Sequence, residues 1–508
     1  MYPAWSVPDR FIRHWLRDFW KKQSKWRDRY LTIDWKNNFI LNWVPDRAAD
    51  QHSVGQIHQQ EKKYEIMLLP LSNPVPQSGK PENVCSLVFL SAASVVIGAS
   101  AGMICGIFRL LLEWLEAVRT DMGMEVSLQH GFSCEGVLLI IGSGAAAWLA
   151  SGLVRHFAPL AAGSGIPHVE AVLLSASPPA PWRVVPVKFL GGLLAIGSGL
   201  ALGREGPSVQ MGATAAHTFG RLLCLEKTDC LALLAAGAGA GLATAFNAPA
   251  AGAVFVLEEL VGRFEIRMVC AALGASISAI LVSRGMLGSQ TVFSVAPLIL
   301  PESLAKQLFF VMTGVMTGLV AVGYNRTTMA VLRLAGRLPV SISVRPVLVG
   351  GLAGLVVCLA PHLAGGGKWI TQTAINNEIG LHQIPALLAF RLIFGALSYA
   401  AATPGGLFAP MLALGALSGL GSSVVAQALS PDTPLATAPF VIVGMASMFA
   451  GSVRAPLTGI ILVMEMTGSS ELIMPLLSGS FAAMVVAGAL GDMPIYAALR
   501  LRAQSHTR

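Results

Sequence analysis

The sequence predicts an all-α, polytopic membrane protein built from two related helical halves. Three observations predict it. Of 508 residues, 54% are hydrophobic and 12% charged, about half the charged fraction of a soluble domain. Uncharged apolar runs recur from residue 85 almost to the end; "CSLVFLSAASVVIGASAGMICGIF" (85–108) runs 24 residues without a charge, and about 20 suffice to cross a bilayer core. These runs do not alternate as barrel strands would. Finally, the chain repeats: "FNAPAAGAVFVLEE" (246–259) aligns with "VRAPLTGIILVMEM" (453–466), matching Ala248/Ala455, Pro249/Pro456, Gly252/Gly459 and Glu258/Glu465. Upstream, "GREGPSVQMGA" aligns with "GLFAPMLALGA" with one gap residue, matching Pro207/Pro410 and Gly212/Gly415.

Residues 1–82 stand apart as a basic, Trp-rich stretch. They lack an apolar segment of signal-peptide length and read as a cytoplasmic region with an interfacial helix. A regulatory arm, or a true start near Met67, are the alternatives. Their positive charge places the N-terminus on the cytoplasmic side. The first half (83–290) is expected to hold helices over 85–117, 132–156, 167–175, 184–202, 207–221, 229–245, 249–262 and 265–284. The second half (291–508, with a short C-terminal tail) is expected to hold them over 304–335, 345–362, 383–402, 409–428, 437–448, 455–467, 470–490 and 494–503. Several are too short to span alone, as broken transporter helices are. The 53 glycines suit close helix packing. The seven cysteines show no paired spacing and read as small buried residues. A net charge of +8 fits anionic headgroups rather than nucleic acid.

Three peptides share one design: "GSGIP" (163–167), "GREGP" (203–207) and "GGLFAP" (405–410). Glycines precede a proline and an apolar helical run follows. Proline suits the first helical turn, and glycine lets bare amides approach a ligand. A helix N-terminus carries partial positive charge and free N–H donors. Partial charges replace an anion's hydration without holding it as a fixed cation would. One such elbow alone is a helix break; three together, one carrying Glu205, point to a pathway for a small anion.

"GSGIPHVE", "GREGPSVQ" and "GGLFAPMLALG", together with the repeated peptides, resemble the signature set of the CLC family of chloride channels and chloride/proton exchangers, over about residues 85–503. The resemblance implies two inverted-topology repeats with broken, re-entrant helices, helix N-termini meeting near mid-membrane, and a homodimer with one pathway per subunit. It implies that Glu205 is the external gating glutamate. A carboxylate can take the seat of the anion and, once protonated, leave it. Glu259 corresponds to the internal proton glutamate of exchangers, a position where channels commonly lack an acid, and Glu258 to a helper at the inner portal. The chloride would be held by Ser164, Gly165, Ile166, Arg204, Gly206, Leu407, Phe408 and Tyr496, with hydroxyls from Ser164 and Tyr496 and amides from Leu407 and Phe408. Lys188 is expected to compensate buried acids such as Glu170, or to snorkel at a helix end. His168 stands where an acid is usual, leaving the charge of the inner vestibule open.

The expected function is exchange of chloride for protons across the cell (inner) membrane, both termini cytoplasmic. The alternative is a passive voltage- or pH-gated chloride channel of the same fold. No HExxH, acid-cluster or serine-elbow motif is present, so no enzyme, cofactor or metal is expected; the partners are chloride, protons and lipid. With Arg508 about twelve residues past Tyr496, nucleotide-sensing domains are not expected, which favours a prokaryotic transporter.

Overall fold

The computed structural model describes residues 84–128, 133–296, 304–339, 341–431 and 435–505, with the backbone of 29–30 and 44–45. Those two pairs form a minimal antiparallel ladder, Arg29 opposite Pro45 and Tyr30 opposite Val44. The rest of the expected N-terminal arm lies outside the described residues.

From residue 84 onward the chain is helical, and its helices fall into two series of eight plus one. The first series is α1 (Val84–Leu128), α2 (Cys134–Phe157), α3 (Ile166–Leu173), α4 (Val184–Gly197), α5 (Glu205–Leu222), α6 (Lys227–Phe246), α7 (Pro249–Phe255) and α8 (Ile266–Leu287). The second is α9 (Leu304–Arg337), α10 (Val344–Leu359), α11 (Lys368–Ile375), α12 (Ile384–Ala400), α13 (Phe408–Leu429), α14 (Thr437–Val453), α15 (Pro456–Thr467) and α16 (Ile473–Ala489), followed by α17 (Ile495–Ser505). Among the described residues eight helices are long and apolar enough to cross a membrane. Outward faces carry apolar side chains: Leu273, Ile277 and Leu281 on α8 and Leu477, Phe481 and Val485 on α16 are exposed.

The repeat extends to backbone detail. Ahead of α3 the chain turns through Pro159–Ala161 and caps the helix with Gly165 at φ 87°; ahead of α11 it turns through Pro361–Leu363 and caps with Gly367 at φ 97°. A left-handed cap of this kind is open to glycine at no steric cost. Asn247 and Arg454, both left-handed, close α6 and α14 just before the Ala-Pro that starts α7 and α15. Such a conformation is costly for a non-glycine residue, and side-chain anchors hold it: Asn247 bonds Gln290 and Arg284, and Arg454 bonds the Met484 and Asp492 carbonyls.

The halves meet through equivalent surfaces, α2 against α10 and α7 against α15. The second contact fixes their relation. Glu258, just past the C-terminal end of α7, accepts from the Leu457 and Thr458 amides that open α15, at 3.0 and 2.6 Å. Glu465, near the end of α15, accepts from the Ala250 and Ala251 amides that open α7, at 3.1 and 2.8 Å. Each carboxylate satisfies orphan donors at a positive helix end. Two helices that cap one another reciprocally run antiparallel, so the repeats are inverted. Packing obeys the same symmetry. A Cβ on Gly212 would lie 2.2 Å from the Gly237 carbonyl between α5 and α6, and one on Gly415 would lie 2.6 Å from the Gly444 carbonyl between α13 and α14.

Four expectations need correction. The run predicted to end at 117 continues to Leu128, and Arg119 ties the extension down by donating to the Ile196 and Gly197 carbonyls. The helix α11 was not foreseen, since "GGGKW" has the glycines of an elbow but no proline. The predicted 249–262 helix opens after Phe255 into a π-helical turn, Val256–Leu260, that carries Glu258 and Glu259. Of the six cysteines described, all free, Cys134 and Cys224 are exposed rather than buried.

Candidate functional site

The three elbows are stitched together by their own backbones. Gly163 donates to Thr403 O at 3.1 Å and accepts from Gly405 N at 3.1 Å, while Gly203 and Gly406 exchange hydrogen bonds at 2.8 and 2.7 Å. Segments about 200 residues apart thus form one rigid crossing, and each delivers a helix start: α3, α5 and α13. Gly206 sits so close to Ser164 that a Cβ there would fall 2.5 Å from Ser164 Oγ. The opening amides of these helices have no carbonyl one turn earlier to bond.

Ser164, Glu205 and Tyr496 are 0, 1 and 0% exposed. Ser164 Oγ, Glu205 Oε2 and the Tyr496 hydroxyl are buried with no hydrogen-bond partner. Buried polar atoms in a native protein are nearly always satisfied, so these three, together with Gln210 Oε1 and Thr403 Oγ1 beside the same elbows, make the crossing a candidate site for a ligand or a proton. Ser164 does not cap its helix, a role that falls to Gly165, and its amide donates to the Tyr399 hydroxyl at 3.4 Å. Tyr496 lies within electrostatic range of Glu205, Glu259, Tyr324 and Tyr399. It is not an interfacial aromatic. Ile166, Leu407 and Phe408 are buried in the same core as Tyr496. The Phe408 ring tilts against Phe246 and Phe449 with centroids 5.0 and 4.4 Å away, giving the crossing an apolar wall. The amides of Glu205 and Ala409 face the Glu205 carboxyl.

Arg204 turns away from its neighbour. Its Nη1 bonds Glu113 at 2.9 Å and its Nε the Ala245 carbonyl at 3.2 Å, so Glu205 is not half of an ion pair with it. Glu113 also holds Arg109. This half-buried triad was not legible in sequence, because Arg204 lies 91 residues from Glu113. Lys188 does not compensate Glu170. It is fully buried and donates to the Ala161 and Gly163 carbonyls at 3.1 and 2.7 Å. Arg391 on α12 does the same for the second half, donating to Leu363 and Gly365 at 3.3 and 2.9 Å. Each cation clasps the turn leading into a short helix.

Two cavities approach the crossing from opposite sides. One, of about 60 Å³, touches Glu205, Gly203, Gly366, Lys368 and Ala409. The other, of about 310 Å³, touches Gly165, His168, Tyr399 and Arg500. Arg500 pairs with Glu170, and Glu259 is within electrostatic range of both. His168 Nε2 is buried without a partner. Glu258, as the cap of α15, also accepts from the Thr458 hydroxyl at 2.7 Å.

The "Voltage gated chloride channel" family profile matches residues 144–488. The H(+)/Cl(-) exchange transporter ClcA of Vibrio vulnificus (strain YJ016) is 36% identical over 421 residues, 82% of this chain and 89% of that protein. Its counterpart in Salmonella schwarzengrund (strain CVM19633) is 34% identical over 431 residues, 82% and 88%. A solved structure described as a slow cyanobacterial Cl-/H+ antiporter matches with a TM-score of 0.78 and 30% identity, covering 82% of this chain and 98% of that one. With matched residues spanning more than half the sequence and every elbow inside them, the chain belongs to the voltage-gated chloride channel family.

Proposed function

We propose that this protein is a secondary transporter that exchanges chloride for protons. The carrying observation is the crossing itself, where helix starts and the unpartnered hydroxyls of Ser164 and Tyr496 converge in an apolar, buried place beside the Glu205 carboxyl, one of whose oxygens is also unpartnered. Chloride sits between Ser164 Oγ, the Tyr496 hydroxyl and the amides of Leu407 and Phe408. Gly165, Ile166, Arg204 and Gly206 belong to the same elbows, Arg204 by fixing the start of α5 rather than by offering its charge. Dipoles rather than a full cation stabilise the ion, so it leaves again. Glu205 closes the path on the side of the smaller cavity by placing its own negative charge at the helix starts. Protonated, it is neutral and gives up the seat. Coupling follows, because anion and carboxylate compete for the same positive ends.

Glu259 exchanges the proton with the side of the larger cavity, beside Glu170 and Arg500. Glu258 is engaged as a helix cap and acts at the portal only when it releases α15. The N-terminal region of residues 1–82 precedes repeats over 83–290 and 291–508. The protein works as a homodimer in the lipid of the cell (inner) membrane with both termini in the cytoplasm, and carries out transport rather than catalysis.

The test uses purified protein in liposomes under a chloride gradient. Exchange predicts that chloride flow drives protons uphill. Chloride flux with no proton movement would make it a channel, and absence of halide flux would end the transport reading.

A further inference from the structure

Inversion sends the mirror image of each elbow to the other side of the crossing. The start of α3 (Gly165-Ile166) faces the larger cavity and the proposed chloride. Its counterpart 202 residues on is the start of α11 (Gly367-Lys368), and Gly366 and Lys368 line the smaller cavity beside Glu205. The two starts match in backbone but differ in chemistry, for apolar Ile166 is replaced by a lysine. Lys368 is exposed. Among the described residues its ammonium makes no hydrogen bond or ion pair, although the charges of Arg109, Glu113, Arg119's neighbour Glu116 and Arg204 are within range. Glu113 is already taken by two arginines. Glu116 lines the same cavity and leaves Lys368 unbonded. A free cation at the mouth of a nearly closed anion path is unexplained by packing, and Thr371, which also lines the cavity, is satisfied by the Gly367 carbonyl.

We propose that Lys368 is an anion-capture residue, drawing small monovalent anions into the cavity beside Glu205 before they reach the crossing. This rests on the exchange reading. A lysine at the crossing would trap the ion; at a hydrated mouth its charge is screened, so it raises local anion concentration without holding any one ion. A unit charge about 7 Å away through a water-like dielectric changes local anion occupancy about threefold.

The experiment measures chloride exchange by the full chain in liposomes, with chloride varied on both faces at low ionic strength. Lys368→Gln should raise the half-saturating chloride concentration about threefold and Lys368→Glu about tenfold, with no matching fall in maximal rate, and Lys368→Arg should restore the wild-type value. Adding an impermeant gluconate salt should erase the differences. Unchanged half-saturation in the Gln and Glu variants, or a deficit that persists in high salt, would overturn the proposal. If wild type moved no chloride, the exchange reading itself would have failed instead.

Discussion

The two halves share a backbone plan, and their charged residues divide by whether the other half repeats them. Glu258 and Glu465 are mirror positions and both cap a helix. Lys188 and Arg391 are mirror positions and both clasp a turn. Charges that recur are busy holding structure. Glu205 has Phe408 as its counterpart and Glu259 has Met466; neither acid is repeated, and Glu205 Oε2 has no partner. Glu259 also stands on the π-helical turn, while its mirror segment stays α-helical; such turns are frequent at functional sites. The duplication thus helps to sort these four acids: Glu258 and Glu465 recur and hold structure, whereas Glu205 and Glu259 do not recur and are the two proposed to take up protons.

The sharpest way to break this comparison is to remove the unrepeated acids. Glu259→Gln should abolish proton movement while leaving chloride flux, and Glu205→Ala should abolish coupling and leave chloride flux ungated by protons, both read as paired chloride and pH traces from liposomes. Retained coupling in either variant would make that acid another structural charge.

Next in size are the clasps. Lys188→Met and Arg391→Met each bare two buried carbonyls, at about 1–3 kcal/mol for each one left unsatisfied. Both should lower the melting temperature in detergent by similar amounts. Arg391→Lys should be tolerated much better, because in the mirror position a single ammonium already spans the same two carbonyls.

Smaller still are the caps. Glu258→Ala and Glu465→Ala should each lose roughly 1–3 kcal/mol, typical of hydrogen bonds to a charged group, with thermal unfolding as the measure. If the pair differ in proton transport as well, Glu258 acts at the portal in addition to capping.

Much of this was legible in sequence, and the rest for physical reasons was not. Long uncharged runs declare a membrane helix whatever surrounds them, and glycine-proline pairs declare its start. The elbow at Gly365-Gly366-Gly367 was missed because only two of its three glycines need special backbone freedom and no proline announces α11; an offset of 202 from Gly163-Ser164-Gly165 was the available signal. Arg119 reads as a helix end, because a sequence does not show that its guanidinium reaches the Ile196 and Gly197 carbonyls, nor that Arg109, Glu113 and Arg204 find each other. Lys188 looked like a counter-charge for Glu170, yet carbonyls satisfied it instead. Which group pairs with which is a property of the fold, whereas the glycines and prolines of the elbows announce helix starts from sequence alone.

The most direct test of the central claim is anomalous diffraction from crystals soaked in bromide, for wild type and Glu205→Gln. The account predicts a bromide peak within hydrogen-bond reach of Ser164 Oγ and the Tyr496 hydroxyl, and in Glu205→Gln a second peak where the carboxylate had been. Bromide bound elsewhere in the molecule, with nothing between those hydroxyls, would contradict it.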